Sequence, residues 1–84
     1  MSKHHFQPRG VCSRAIEFDL EDGILHNVRF SGGCSGNTQG LAALCEGMSA
    51  KEAAERLAGI RCGFKSTSCP DQLSIAIREA IEQA

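Results

Sequence analysis

The chain has no tryptophan and no tyrosine, and its 84 residues include four phenylalanines and two prolines. Large rings therefore contribute little, and aliphatic side chains and alanine must build the core. A domain of this size buries only about 60–65% of its unfolded surface. A staple such as a bound metal or an oligomer contact would then carry a real share of the stability. Long apolar runs are missing too. Nothing approaches the roughly 18 residues expected of a membrane span. An excess of positive charge is also lacking: the formal net charge is −1, and the nine Lys and Arg are scattered. Phosphate recognition needs a concentrated basic face, so neither nucleic acid nor a membrane surface is an expected partner. Met1 to Pro8 carries no apolar signal-peptide core, so the expected compartment is the cytoplasm, where thiols stay reduced.

What the chain does have is cysteine, five in all. Cys12, Cys34, Cys62 and Cys69 sit among glycines and helix-start signals, whereas Cys45 lies in an apolar helical stretch. Such a density implies disulfides, a metal or redox chemistry, and a reduced compartment with an odd thiol count favours metal over structural disulfides.

The pattern around these cysteines reads as one α+β domain over residues 1–84, a small antiparallel sheet of two to three strands followed by three helices. Ile16, Phe18 and Leu20 alternate with Glu17, Asp19 and Glu21, as in a half-buried strand. Asp22-Gly23 supplies a tight hairpin turn. On the return strand Ile24, His26, Val28 and Phe30 share the more apolar side and are expected to face the core. A third strand is expected near His4–Gln7, limited by Pro8 and Gly10, with residues 1–9 the most weakly fixed part of the domain. Gly32-Gly33-Cys34-Ser35-Gly36-Asn37 is a loop open to close backbone approach, with Ser35 or Asn37 capping a helix whose inner face is Leu41, Leu44 and Cys45. Gly47 ends that helix. Ser49-Ala50-Lys51-Glu52 is a capping box for a second, apolar at Ala53, Ala54 and Leu57 and closed by Gly59. Cys69 as N-cap and Pro70 at the first helical position open the last, with Leu73, Ala76, Ile77, Ala80 and Ile81 as its apolar stripe.

Helix starts offer unpaired N–H groups and partial positive charge, and both favour thiolate. Cys34 and Cys69 stand at such starts, while Cys12 has Arg14 nearby and Cys62 has Arg61 and Lys65. Four thiolates around a divalent metal carry a charge near −2, which these cations and helix starts would offset. Spacing adds nothing, because even Cys62 and Cys69 are separated by six residues and the fold alone must gather the four. Metal binding by this quartet is the leading expectation, with a redox or nucleophilic role and plain apolar packing as alternatives. Cys45 is expected to fill core space, His26 to be a satisfied, partly buried histidine, and His4 and His5 to belong to a loose terminus. The glycine-rich loop lacks the Lys-Ser/Thr pair of a phosphate loop. Within Thr67–Asp71, the two hydroxyls can reach a neighbouring sulfur or the first-turn backbone, and Asp71 suits the helix dipole.

Thr67-Ser68-Cys69-Pro70-Asp71 resembles the motif that names the TSCPD domain family. Gly10-Val11-Cys12-Ser13, Asp22-Gly23, Gly32 to Asn37, Glu46-Gly47-Met48 and Gly59 to Gly63 extend the likeness to its small, four-cysteine members. The resemblance marks Cys12, Cys34, Cys62 and Cys69 as the family's cysteines and leaves out Cys45. Its members are similar to a segment near the C-terminus of vitamin B12-dependent ribonucleotide reductases. That relationship implies a partner, a ribonucleotide reductase or another redox protein, rather than catalysis by this chain alone. A fainter similarity, in element order and in Cys34 and Cys69, is to iron–sulfur scaffold proteins of the NifU type. The expected cofactor is zinc or an iron–sulfur cluster held by the four cysteines. The alternative is a thiol-active cluster or electron carrier serving a ribonucleotide reductase or iron–sulfur assembly.

Overall fold

The computed structural model describes residues 2–11, 13–32, 35–61 and 67–83 and, of residues 2, 13, 35–37 and 83, the backbone alone. Strand β1 (Ser2–Phe6), β2 (Ser13–Glu21) and β3 (Ile24–Gly32) form an antiparallel sheet in the order β1-β2-β3, and helices α1 (Ser35–Cys45), α2 (Ala50–Leu57) and α3 (Cys69–Gln83) follow. This is the expected α+β order. Asp22 and Gly23 turn the β2–β3 hairpin with φ of 53° and 77°, the double positive φ that matches the twist of paired strands.

The third strand runs over Ser2–Phe6, earlier than the expected His4–Gln7. Opposite charges favour this register at Lys3, which faces Asp19 across β1 and β2, while His5 faces Glu17. His4 lies on the other side, its ring stacked on Phe18 at a centroid distance of 5.5 Å. His4 and His5 are thus strand residues, not a loose terminus.

Strand β3 breaks the expected alternation. Leu25 and Val28 are buried, three residues apart, while His26 is only half-buried. The cause is a β-bulge: Glu17 pairs with Arg29 and Asp19 with His26, so Phe18 opposes two residues, Asn27 and Val28. Asn27 takes φ of 55°, a left-handed conformation that asparagine tolerates better than most residues. The extra residue swaps Leu25 for His26 on the core side.

Gly47, with φ of 80°, ends α1 and donates its N–H to Leu25 O at 2.8 Å. Leu25 N–H in turn bonds Met48 O at 2.9 Å, and Ile24 bridges Ser49. The α1–α2 connection is therefore stitched to the start of β3. Ser49 caps α2 as expected, accepting from Glu52 N–H. Thr38, Leu41, Ala42 and Cys45 form the inner face of α1, at helical spacing. Leu44, expected there too, is off that face and 76% exposed. On α3, Leu73, Ala76, Ile77 and Ala80 are buried, but Ile81 at the margin of the stripe is 41% exposed. The core closes between one sheet face and the helices, around Ile16, Phe18, Leu25, Leu73 and Ile77.

Candidate functional site

The start of α3 is built differently from the sequence expectation. Gln72 N–H donates to Ser68 O at 2.8 Å, the first intrahelical bond, which makes Ser68 the N-cap. Ser68 Oγ accepts from Asp71 N–H at 3.1 Å, as an N-cap hydroxyl does, and donates to Ile60 O at 2.6 Å. Cys69 is therefore the first helical residue and Pro70 the second. The physical reason is chemical: a serine hydroxyl can accept from a first-turn N–H and donate elsewhere at once, whereas a thiol does both weakly.

Around this cap runs a directional chain of hydrogen bonds. Arg9 N–H donates to Gln72 Oε1 at 3.0 Å, and Gln72 Nε2 donates to Thr67 Oγ1 at 3.0 Å. Thr67 Oγ1 then donates to Asp71 Oδ2, while Gly59 N–H donates to Asp71 Oδ1 at 2.7 Å. Both carboxylate oxygens are used, and successive donors in one direction polarise each other. The Thr67 hydroxyl and then the Gly59 N–H pull the Asp71 carboxyl below its ordinary range, with Arg78 and Arg61 adding attraction. The motif hydroxyls expected to reach a sulfur or the first turn divide their work: Ser68 bonds the first turn, and Thr67 bonds Asp71. Gln72, buried and central to the chain, has no signal in the sequence.

Of the four predicted ligands, Cys69 is half-buried at the head of α3, and Cys12, Cys34 and Cys62 lie outside the described residues. Among the described residues no group of three or more His, Cys, Asp or Glu is arranged to hold a metal ion. The residues flanking the quartet are nonetheless brought together in pairs. Ser13, next to Cys12, pairs with Gly32, two residues before Cys34. Gly10, two residues before Cys12, lies against Thr67, whose Cγ2 would be 3.2 Å from a Cβ placed on the glycine. Ile60, two before Cys62, bonds Ser68, the neighbour of Cys69. Helix α1 opens at Ser35, directly after Cys34, so Ser35 and Asn37 are both inside the helix and neither is its cap.

The remaining candidates are accounted for by packing. Cys45 is 2% exposed, and burial pushes its thiol pKa up, away from the reactive thiolate. His26 Nδ1 lies 2.8 Å from Glu46 Oε2, so this histidine is satisfied by a hydrogen-bond partner on the surface.

A family model of the TSCPD domain matches residues 1–81. The chain belongs to the TSCPD domain family. Searches of curated proteins and of solved structures found no match. For this TSCPD domain, three of the five motif residues, Thr67, Ser68 and Asp71, make the bonds that fix the start of α3. No helix among the described residues is long and apolar enough to cross a membrane.

Proposed function

We propose that this TSCPD domain is a cysteine-ligated metal-binding module, with Cys12, Cys34, Cys62 and Cys69 holding zinc or an iron–sulfur cluster. The supporting observation is the pairwise meeting of the segments that carry them: Ser13 with Gly32, Gly10 with Thr67, and Ile60 with Ser68. One or two residues reach at most about 7 Å, so anchors this close are compatible with four thiols meeting at a common centre. The donor set suits the metal, since soft thiolates select zinc and iron–sulfur clusters. The starts of α1 and α3 adjoin Cys34 and Cys69, and Arg61 adjoins Cys62, which offsets the negative charge of four thiolates. When bound, the metal would cross-link the sheet end, the loop after α2 and the head of α3. The role is structural or carrier-like, in association with a redox enzyme such as a ribonucleotide reductase, and not catalytic alone.

Metal analysis of protein purified without oxygen tests this reading. Stoichiometric zinc that resists weak chelators supports a structural site, and brown protein with acid-labile sulfide supports a cluster. Purified protein holding neither, and taking up neither zinc nor iron with sulfide on reconstitution, removes the proposal.

A further inference from the structure

We propose that α1 carries a self-association surface and that its occupant is a second copy of this chain. Helix α1 has 11 residues and no Asp, Glu, Lys or Arg, in a chain where 23% of residues are charged. Gly40, Ala43 and Leu44 lie on its outward face, exposed and at helical spacing. Leu44 is 76% exposed, and a Cβ added at Gly40 would have no neighbour within 4 Å. A surface helix ordinarily turns charged residues to water, so an uncharged face with a projecting leucine marks a contact surface. Beside that face, between α1 and α2, lies a cavity of about 220 Å³. Its walls are Leu41, Cys45, Met48, Ala53 and Leu57, with Leu44 at the edge. That volume is below the roughly 300–1,000 Å³ of small-molecule sites and suits one aliphatic side chain. The charged residue of the lining, Arg56, is already neutralised by Glu52 Oε1, which accepts from it at 2.8 and 3.1 Å. One patch therefore presents a knob, Leu44, next to a hole, and bears no net charge. A two-fold contact requires both properties, because the same patch meets itself and any net charge would repel its image. Leu44 of each copy enters the groove of the other, and Gly40 and Ala43 let the two helices approach closely. One helix face and one groove fall short of the roughly 800 Å² per partner of a standard interface, so the dimer is weak and dissociates on dilution. None of these residues is a proposed metal ligand, so the pairing does not depend on the metal reading.

Sedimentation velocity of the whole chain tests this, in reducing buffer so that intermolecular disulfides play no part. The wild type is expected to pass from monomer to dimer between about 1 μM and about 1 mM. Leu44→Lys sets a cation against Arg56 of the other copy and should weaken dimerisation by at least about 10-fold. Because Leu44 is exposed, circular dichroism and melting of the dilute variant should match wild type. Methyl NMR locates the contact. Signals of Leu41, Met48 and Leu57 should move with concentration in wild type and stay fixed in Leu44→Lys. A mixture of labelled and unlabelled chains should give an intermolecular Leu44–Met48 nuclear Overhauser effect. A wild-type chain still monomeric at the highest concentration overturns the proposal, even where its groove takes up an apolar dye or another protein's helix. Dimerisation undiminished in Leu44→Lys, or lacking the Leu44–Met48 contact, overturns it as well, because a different surface would then be responsible.

Discussion

Asn27 and Glu46 hold the β-bulge together: the Asn27 backbone N–H donates to Glu46 Oε1 at 2.9 Å, just after the C-terminal end of α1. The second oxygen, Oε2, pairs with His26 Nδ1. Asn27 Nδ2 adds a bond to Asp19 Oδ2 at 3.0 Å. The carboxylate therefore secures the residue that moves Leu25 into the core.

The first prediction follows from that carboxylate. The Asn27 N–H, and then His26, hold the Glu46 carboxyl below the usual range for a glutamate. Its folded pKa is lower than its unfolded one, so its contribution to stability is full above the unfolded value and is lost as pH falls through the folded one. Melting temperature against pH should show this acid limb in wild type and a shallower one in Glu46→Gln. Identical acid limbs would show that Glu46 is uncoupled from folding. Asn27→Ala, which loses the Asp19 bond and places alanine at φ of 55°, should cost about 1–2 kcal/mol.

Ser68 and Cys69 should part company on mutation. Ser68→Ala removes a cap and leaves Ile60 O without its donor, so a loss of about 2 kcal/mol is expected in chemical denaturation. Cys69→Ser leaves the Ser68 cap intact and, if Cys69 is a ligand of the proposed site, removes that ligand. Helix content should stay near native while metal is lost and the melting temperature of the loaded protein falls to that of the metal-free form. Full metal occupancy in Cys69→Ser would remove Cys69 from the ligand set.

Gly10 is expected to resist any side chain. Its φ is 73°, and a Cβ would meet Thr67 Cγ2 at 3.2 Å. Gly10→Ala should destabilise by about 1–2 kcal/mol from backbone strain alone. Combining it with Thr67→Ser, which removes the methyl, should cost less than the sum of the single changes. A strictly additive double-mutant cycle would show that the contact carries no energy.

Cys45 should behave as core and nothing else. Its thiol is buried among apolar residues, so Cys45→Ala should cost about 1 kcal/mol and leave metal content unchanged. Iodoacetamide should modify it far more slowly in the native protein than in urea. Metal loss in this variant would point to a different quartet.

Leu44 offers a control on the packing account. At 76% exposure, Leu44→Ser should change stability by no more than about 0.5 kcal/mol, whereas Leu73→Ala, fully buried, should cost about 2–5 kcal/mol. Similar losses at both positions would mean that α1 turns a different face to the core.

Several features were legible because they depend on neighbours in sequence. The Asp22-Gly23 turn, the alternation of Ile16, Phe18 and Leu20, the Ser49 cap of α2 and the glycine stop at Gly59 follow from φ preference, side-chain period and local hydrogen bonding. Thr67–Asp71 was recognisable as a motif, and the start of α3 was placed to within one residue. The cap was misassigned because Cys69 directly precedes Pro70, and nothing local reveals that Ser68 also bonds Ile60 eight residues away.

By itself the sequence determined the family, read from its motif residues, and the α+β order, the hairpin and the helix stops, which arise from short-range conformational preference. Tertiary structure decided which faces are buried. A bulge at Asn27 shifts the phase of β3 by one residue, and the Glu46 carboxylate, brought in by α1, together with Asp19 on β2, stabilises it. The same holds at the head of α3, where the roles of Thr67, Asp71 and Gln72 depend on partners at Arg9 and Gly59. A hydroxyl, amide or carboxylate can bond whatever comes within about 3 Å, and only the folded chain selects what that is.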